Sequence, residues 1–127
     1  MDEADGSSGR FTVSIRLHET FIVARVASEL DYTSAALLHR QVEDAWATTR
    51  SAGLVLDLGE VTFCDSMGIG VLVLLLKQRR EQQSNLVLSN LPPLLERILT
   101  ITGLRTAFQV VPSVEEALQT VQPPSRA

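Results

Sequence analysis

Cysteine is nearly missing from this chain: Cys64 is the single thiol, which excludes an internal disulfide framework and any structural zinc site built on cysteines. Histidine is almost as scarce. His18 and His39 lie far apart without metal-ligand spacing, so neither a metal nor a cofactor is expected. Positive charge is in deficit, with 11 Lys and Arg against 15 Asp and Glu and a net charge of −4 at pH 7. With no basic stripe to displace counterions from phosphates, nucleic acid is not an expected partner. Long apolar runs are also lacking. The longest, Met67–Leu76, falls well short of the ~20 residues a membrane span requires, and the acidic N-terminus has no apolar core of the signal-peptide kind. Together these absences predict a cytoplasmic, reducing location away from the membrane.

What remains is an ordinary globular composition of 45% hydrophobic and 20% charged residues over a length of 127. That is enough chain to bury a core as one domain. The domain is expected over residues 11–121, after a disordered lead-in at 1–10 rich in Asp, Glu, Gly and Ser, with a Pro-containing tail at 122–127. Phe11, Val13, Ile15 and Leu17 alternate with Thr12, Ser14 and Arg16, the pattern of a half-buried strand. A three-residue turn, His18-Glu19-Thr20, leads to a second strand over Phe21–Val26, and so short a connection predicts an antiparallel hairpin. Ala27–Asp31 reads as a loop. Thr33 or Ser34 then caps a helix running to about Arg50, with Leu37, Leu38, Val42, Ala45 and Trp46 on one side. His39 falls on its polar side and is expected to be exposed.

The chain is organised around Leu54–Arg80. Leu54–Leu58 is an apolar run too short for a helix and flanked by Gly53 and Gly59, which reads as a strand buried on both faces. Val61–Cys64 reads as a brief loop. Asp65 or Ser66, both favoured N-cap types, opens the next helix, and Gln78–Asn85 follows as a polar turn. Leu86–Leu88 is a further buried strand. Pro92 and Pro93 suit a first helical turn; Leu94, Leu95, Ile98 and Leu99 make the apolar stripe, and Gly103 takes the left-handed cap position. Phe108–Val111 is a last short strand. Ser113 and Glu116 form a capping box before a helix whose apolar face is Val114, Ala117, Leu118 and Val121. A hairpin followed by alternating helices and strands predicts an α/β fold: a single mixed β-sheet whose parallel pairs are joined by helical crossovers.

By spacing alone, Asp65-Ser66 before an apolar run is an ordinary helix start. The stretch Phe63-Cys64-Asp65-Ser66-Met67-Gly68-Ile69-Gly70-Val71, however, resembles the signature of the STAS domain of sulphate transporters and bacterial anti-sigma factor antagonists. In the antagonists it reads Phe-x-Asp-Ser-(Ser/Thr)-Gly-Leu-Gly-Val. Met67 stands in place of the usual second hydroxyl residue. Glu29-Leu30-Asp31 resembles the family's Gly-Glu-Leu-Asp, with Ser28 in place of the glycine, and Ile101-Thr102-Gly103-Leu104 and the capped last helix also match. The resemblance covers roughly residues 11–121 and implies a STAS-like fold with the N-terminal hairpin. It further implies that Ser66 is a regulatory phosphorylation site.

On that resemblance the chain is an anti-sigma factor antagonist. Unphosphorylated, it is expected to bind an anti-sigma factor serine kinase and so free a sigma factor; phosphate on Ser66 would end the interaction, and a serine phosphatase would restore it. Asp31, Asp65, Ser66, Met67, Gly68 and Ile69 are the expected partner-binding residues. A phosphate on Ser66 would sit at a helix N-terminus, where first-turn amides such as those of Met67 and Gly68 offer donors. A STAS adaptor in a transporter-associated or sensory complex, without phosphoswitching, is the alternative. No enzymatic activity is expected: Ser66 has no His base in reach and no Gly-x-Ser-x-Gly elbow. A receiver domain using Asp57 would lack its acidic pair for Mg²⁺.

Overall fold

The computed structural model describes residues 4–8, 11–49 and 51–121, with side chains over 11–49 and 51–120. Expectations placed on residues 1–3, 9–10, 50 and 122–127 lie outside the described residues. One six-stranded sheet carries the fold, and its spatial order follows the sequence: β1 (Ala4–Ser8), β2 (Phe11–His18), β3 (Phe21–Leu30), β4 (Gly53–Cys64), β5 (Asn85–Ser89) and β6 (Gln109–Val111). β1, β2 and β3 pair antiparallel; β3 to β6 are parallel. The mixed sheet with its hairpin and crossovers is as the sequence predicts.

Three expectations are corrected. Part of the expected lead-in, Ala4–Ser8, is an edge strand. Its composition shows no alternation, but pairing draws on backbone N–H and C=O groups alone, which the outer edge of β2 would otherwise leave open. β3 runs on through Ala27–Leu30, expected as a loop, and β4 through Val61–Cys64, also expected as a loop. These two strand ends stay paired across register shifts between Arg25 and Ala27 and between Ser28 and Glu29, and such bulges break the period-two pattern that identifies a strand. Third, the helix after Asp65 continues to Glu81, shortening the polar turn expected from Gln78.

Ser28 sits at that irregularity with φ +81°, a left-handed conformation that suits glycine. The STAS signature has glycine here. Ser28→Gly is expected to raise stability by up to ~1 kcal/mol, the relieved strain exceeding glycine's extra chain entropy, readable as a higher urea midpoint.

The helices are α1 (Ala35–Thr48), α2 (Ser66–Glu81), α3 (Pro93–Ile101) and α4 (Val114–Val121). Each parallel crossover steps the same way along the sheet, so crossovers of one hand place α1, α2 and α3 on one face. The core follows: Leu54, Leu56, Leu58, Leu86 and Leu88 meet Leu38, Val42, Leu72, Leu75, Leu95 and Leu99. Residues of the other parity, Phe21, Val23, Val55 and Val87, meet Ala117 of α4 on the opposite face. β4 is therefore buried on both sides, as its apolar run predicts. Gly103, at φ +78°, closes α3: its N–H donates to the Thr100 carbonyl and that of Leu104 to the Leu99 carbonyl, the paired bonds of a Schellman cap. Ser113 Oγ accepts from Glu116 N–H at 3.2 Å at the start of α4.

Among the described strands the order never reverses, so they form no topological switch point, the place where open α/β sheets bind cofactors. α1 and α2 begin at the same end of the sheet, where β3 and β4 finish.

Candidate functional site

Asp65 and Ser66 were interchangeable as caps in sequence; their geometry separates them. Asp65 is extended and is the N-cap, its Oδ1 accepting from Gly68 N–H at 2.9 Å. Ser66 is the first helical residue and is exposed. Its hydroxyl is not spent on capping. A serine presented this way, at the positive end of a sixteen-residue helix, suits a modification that adds negative charge. The expected use of the Gly68 amide by a phosphate is corrected, since Asp65 already holds it.

The other Asp65 oxygen, Oδ2, accepts from the backbone N–H of Tyr32 at 3.0 Å, and Asp65 N–H donates to the Leu30 carbonyl at 3.2 Å. One carboxylate thus ties the β3–α1 loop to the tip of α2. The loop is itself stiffened by Asp31, whose Oδ1 accepts from Thr33 N–H at 3.0 Å, Thr33 Oγ1 at 2.7 Å and Ser34 N–H at 3.2 Å. The Thr33 hydroxyl above all holds the Asp31 carboxyl below its ordinary range; burial, next in size, opposes it, and the backbone bonds from Thr33 and Ser34 add to the lowering. Ser34, buried, donates from Oγ to the Glu29 carbonyl at 2.8 Å and accepts from Asp31 N–H at 2.9 Å. Asp31 and Asp65 are therefore gathered at one end of the sheet with Ser66, though far apart in sequence.

Of the expected docking residues, Met67 is 56% exposed. Gly68 and Ile69 are not surface residues. Ile69 faces the core at 8% exposure, and Gly68 is pressed onto the ends of β3 and β4, where an added Cβ would collide with the Leu30 carbonyl and lie 2.7 Å from Cys64 Sγ. Both support the tip from below, because the first turn of α2 lies directly on the sheet. Gly70 is the reverse case: among the described residues nothing stands within 4 Å of its would-be Cβ.

Sequence reasoning missed three contributors. Tyr32 (71% exposed), Leu74 (40%) and Phe63 (47%) are large apolar side chains left in solvent. Tyr32 and Leu74 join Met67 around a cleft of about 410 Å³ between α1 and α2, floored by Ala35, Ala36, Gly70 and Val71 and ended by His39. A clue for Tyr32 was available: an aromatic residue in an otherwise polar loop, next to Asp31. His39, expected to be exposed, is half-buried, with Nε2 3.0 Å from Gln78 Oε1 of α2.

Cys64 is buried, and that burial, followed by the charge of Asp65, pushes its thiol up to about 12. It stays protonated and unreactive at neutral pH. Asp57 Oδ1 accepts from Asn90 Nδ2 at 3.0 Å and Gly59 N–H at 3.2 Å, so it ties β4 to the residues after β5. Among the described residues no three His, Cys, Asp or Glu side chains group to hold a metal, and no helix is long and apolar enough to cross a membrane.

The STAS domain family matches residues 12–117. This chain belongs to the STAS domain family. Among curated STAS relatives, the anti-sigma-B factor antagonist of Bacillus subtilis is 31% identical over 107 residues, covering 84% of this chain and 96% of its own length. An anti-sigma factor antagonist from Mycobacterium paratuberculosis superposes with a TM-score of 0.78 at 25% identity, over 89% of this chain and 95% of that one. The unphosphorylated form of the antagonist SpoIIAA superposes at 0.75 over 90% and 99% with 17% identity, a likeness of fold. The STAS fold thus accounts for the sheet, and the α2 tip is where this member places its exposed serine.

Proposed function

We propose that this STAS domain is an anti-sigma factor antagonist that binds an anti-sigma factor serine kinase and is switched off by phosphate on Ser66. The observation that carries the reading is the Ser66 hydroxyl itself. It is exposed at the first position of α2, relieved of capping by Asp65, and next to the apolar cleft walled by Tyr32, Met67 and Leu74. The names of the relatives, antagonists of anti-sigma factors, support the same role.

The mechanism is a change of surface. Unmodified, the α2 tip buries Met67 and Tyr32 against the kinase, whose docking frees the sigma factor. Transfer of the ATP γ-phosphoryl to Ser66 Oγ, with loss of the hydroxyl proton, adds ~−1.5 to −2 charges beside Asp65. Burying that dianion at an apolar interface carries a desolvation cost that ends the complex. A serine phosphatase reverses it by hydrolysis. With Gly68 already engaged by Asp65, the first-turn amide of Met67 is a donor left for the phosphate.

Incubation with ATP, Mg²⁺ and each anti-sigma kinase of the host, followed by peptide mass spectrometry, tests this. Phosphate on Ser66, absent from Ser66→Ala, is expected, with kinase binding weakened at least roughly tenfold by the modification. Binding without any phosphate transfer would instead favour the adaptor role, and phosphate elsewhere would remove Ser66 as the switch.

A further inference from the structure

Arg79 is fully buried, at 0% exposure. It reaches from α2 to α1, where Nη2 donates to Glu43 Oε2 at 2.7 Å and the guanidinium lies 4.1 Å from the centroid of the Trp46 ring. Among the described residues neither Nε nor Nη1 finds an acceptor. Removing a guanidinium from water carries a desolvation cost that one ion pair and one aromatic face offset only in part, and two orphaned N–H groups add to it. An apolar side chain of similar length would fill the space without that cost. Stability does not account for an arginine here.

Its place in the helix pair does. α1 and α2 leave parallel strands and run the same way. At their shared start, Tyr32 N–H is tied to Asp65. Next comes the apolar opening, where the small residues Ala35, Ala36 and Gly70 leave room. His39 then meets Gln78, and one turn further Glu43 meets Arg79. Polar ties bracket the cleft at both ends.

We infer that Arg79 is a positioning residue for partner docking: clamped between Glu43 and Trp46, its planar fork fixes the spacing of α1 and α2 and holds the cleft open. This rests on the reading of the α2 tip as the kinase-docking surface. Apolar contacts are non-directional and let helices settle together, whereas a stacked, hydrogen-bonded guanidinium has one geometry. Without it, the two helices close over the small residues between them, Ala35 and Ala36 of α1 and Gly70 of α2.

The test compares Arg79→Met and the double variant Glu43→Leu/Arg79→Met with the wild-type full chain. Glu43, with a 30% exposed side chain, can return to water in the single variant; the double variant carries the test should the single one misfold. Three readouts are taken: melting temperature, amide resonances of Ala36 and Gly70, and affinity for whichever host anti-sigma kinase retains the wild type. Expected are a melting temperature within ~3 °C of wild type or higher, shifted Ala36 and Gly70 resonances, and affinity weakened roughly tenfold. Gly70 lies roughly 13 Å along the helix from Arg79, so its shift reports helix spacing and not contact with the new side chain. Large destabilisation of both variants would make Arg79 a stability residue and overturn the inference. Unmoved resonances would overturn it equally, as would shifted resonances with unchanged affinity. Should no kinase retain even the wild type, the docking reading itself fails, while the resonances still decide whether Arg79 sets the cleft.

Discussion

Glu43→Ala is expected to lower the melting temperature by on the order of 10 °C. The asymmetry of the Glu43–Arg79 pair is the reason. The Arg79 side chain is fully buried and that of Glu43 is 30% exposed. Removing the carboxylate strands a guanidinium that cannot reach water, leaving Nη2 unpaired beside the already orphaned Nε and Nη1. Breaking one side of a buried pair typically costs ~3–5 kcal/mol, and the partial exposure of Glu43 favours the low end. At ~3–4 °C per kcal/mol for a domain of this size, that gives the stated drop. Glu43→Gln keeps an acceptor for Nη2 and is expected to lose about half as much. Equal melting of the alanine variant and the wild type, followed by calorimetry, would show that the guanidinium finds another partner.

Gly68→Ala is expected to cost ~2–3 kcal/mol and, on the proposed function, to abolish kinase binding. The added methyl would meet the backbone carbonyl of Leu30, which β3 holds in place, and Cys64 Sγ at 2.7 Å. Close-packed interiors respond to such overpacking by moving backbone, at ~1–3 kcal/mol. Here the movable part is the first turn of α2. Lifting it strains the Asp65 bonds to Gly68 and Tyr32 and displaces Ser66, so stability and docking fall together. Gly70→Ala, two residues on, separates them. Its site is open, so the helix gains up to ~1 kcal/mol of propensity while a methyl enters the floor of the cleft and weakens docking. Urea melts and kinase pull-down of the two variants side by side check both halves. A Gly68→Ala protein with wild-type stability would mean that the tip yields freely.

Much of this was legible in the residue pattern. The run Leu54–Leu58 reads as a doubly buried strand because two covered faces leave Asp57 as its one polar position. Gly103 and Ser113 announce their helix ends because a left-handed φ and an N-cap oxygen are local requirements. The strand ends that carry the site were not legible. Ala27–Leu30 and Val61–Cys64 lose the alternation at a bulge, and which side of an irregular strand faces the core depends on what lies across from it. Tyr32 and Leu74 could not be assigned to one cleft, since α1 and α2 meet only through the fold.

The α/β order of elements, the helix start at Asp65-Ser66 and the resemblance that marks Ser66 can all be read from the residues alone. These are local or pattern properties, written in neighbouring residues. That Asp65 caps and Ser66 stays free, that Gly68 and Ile69 are buried supports, and that Arg79 lies dry between two helices emerges with the assembled fold. The capping bond of Asp65 to Gly68 is local, but the tie of Asp65 to Tyr32 and the burials depend on contacts between segments some thirty or more residues apart, Tyr32 with Asp65, Leu30 with Gly68, Glu43 with Arg79. Burial and hydrogen-bond partnership are properties of that assembled neighbourhood, and no single stretch of chain encodes them.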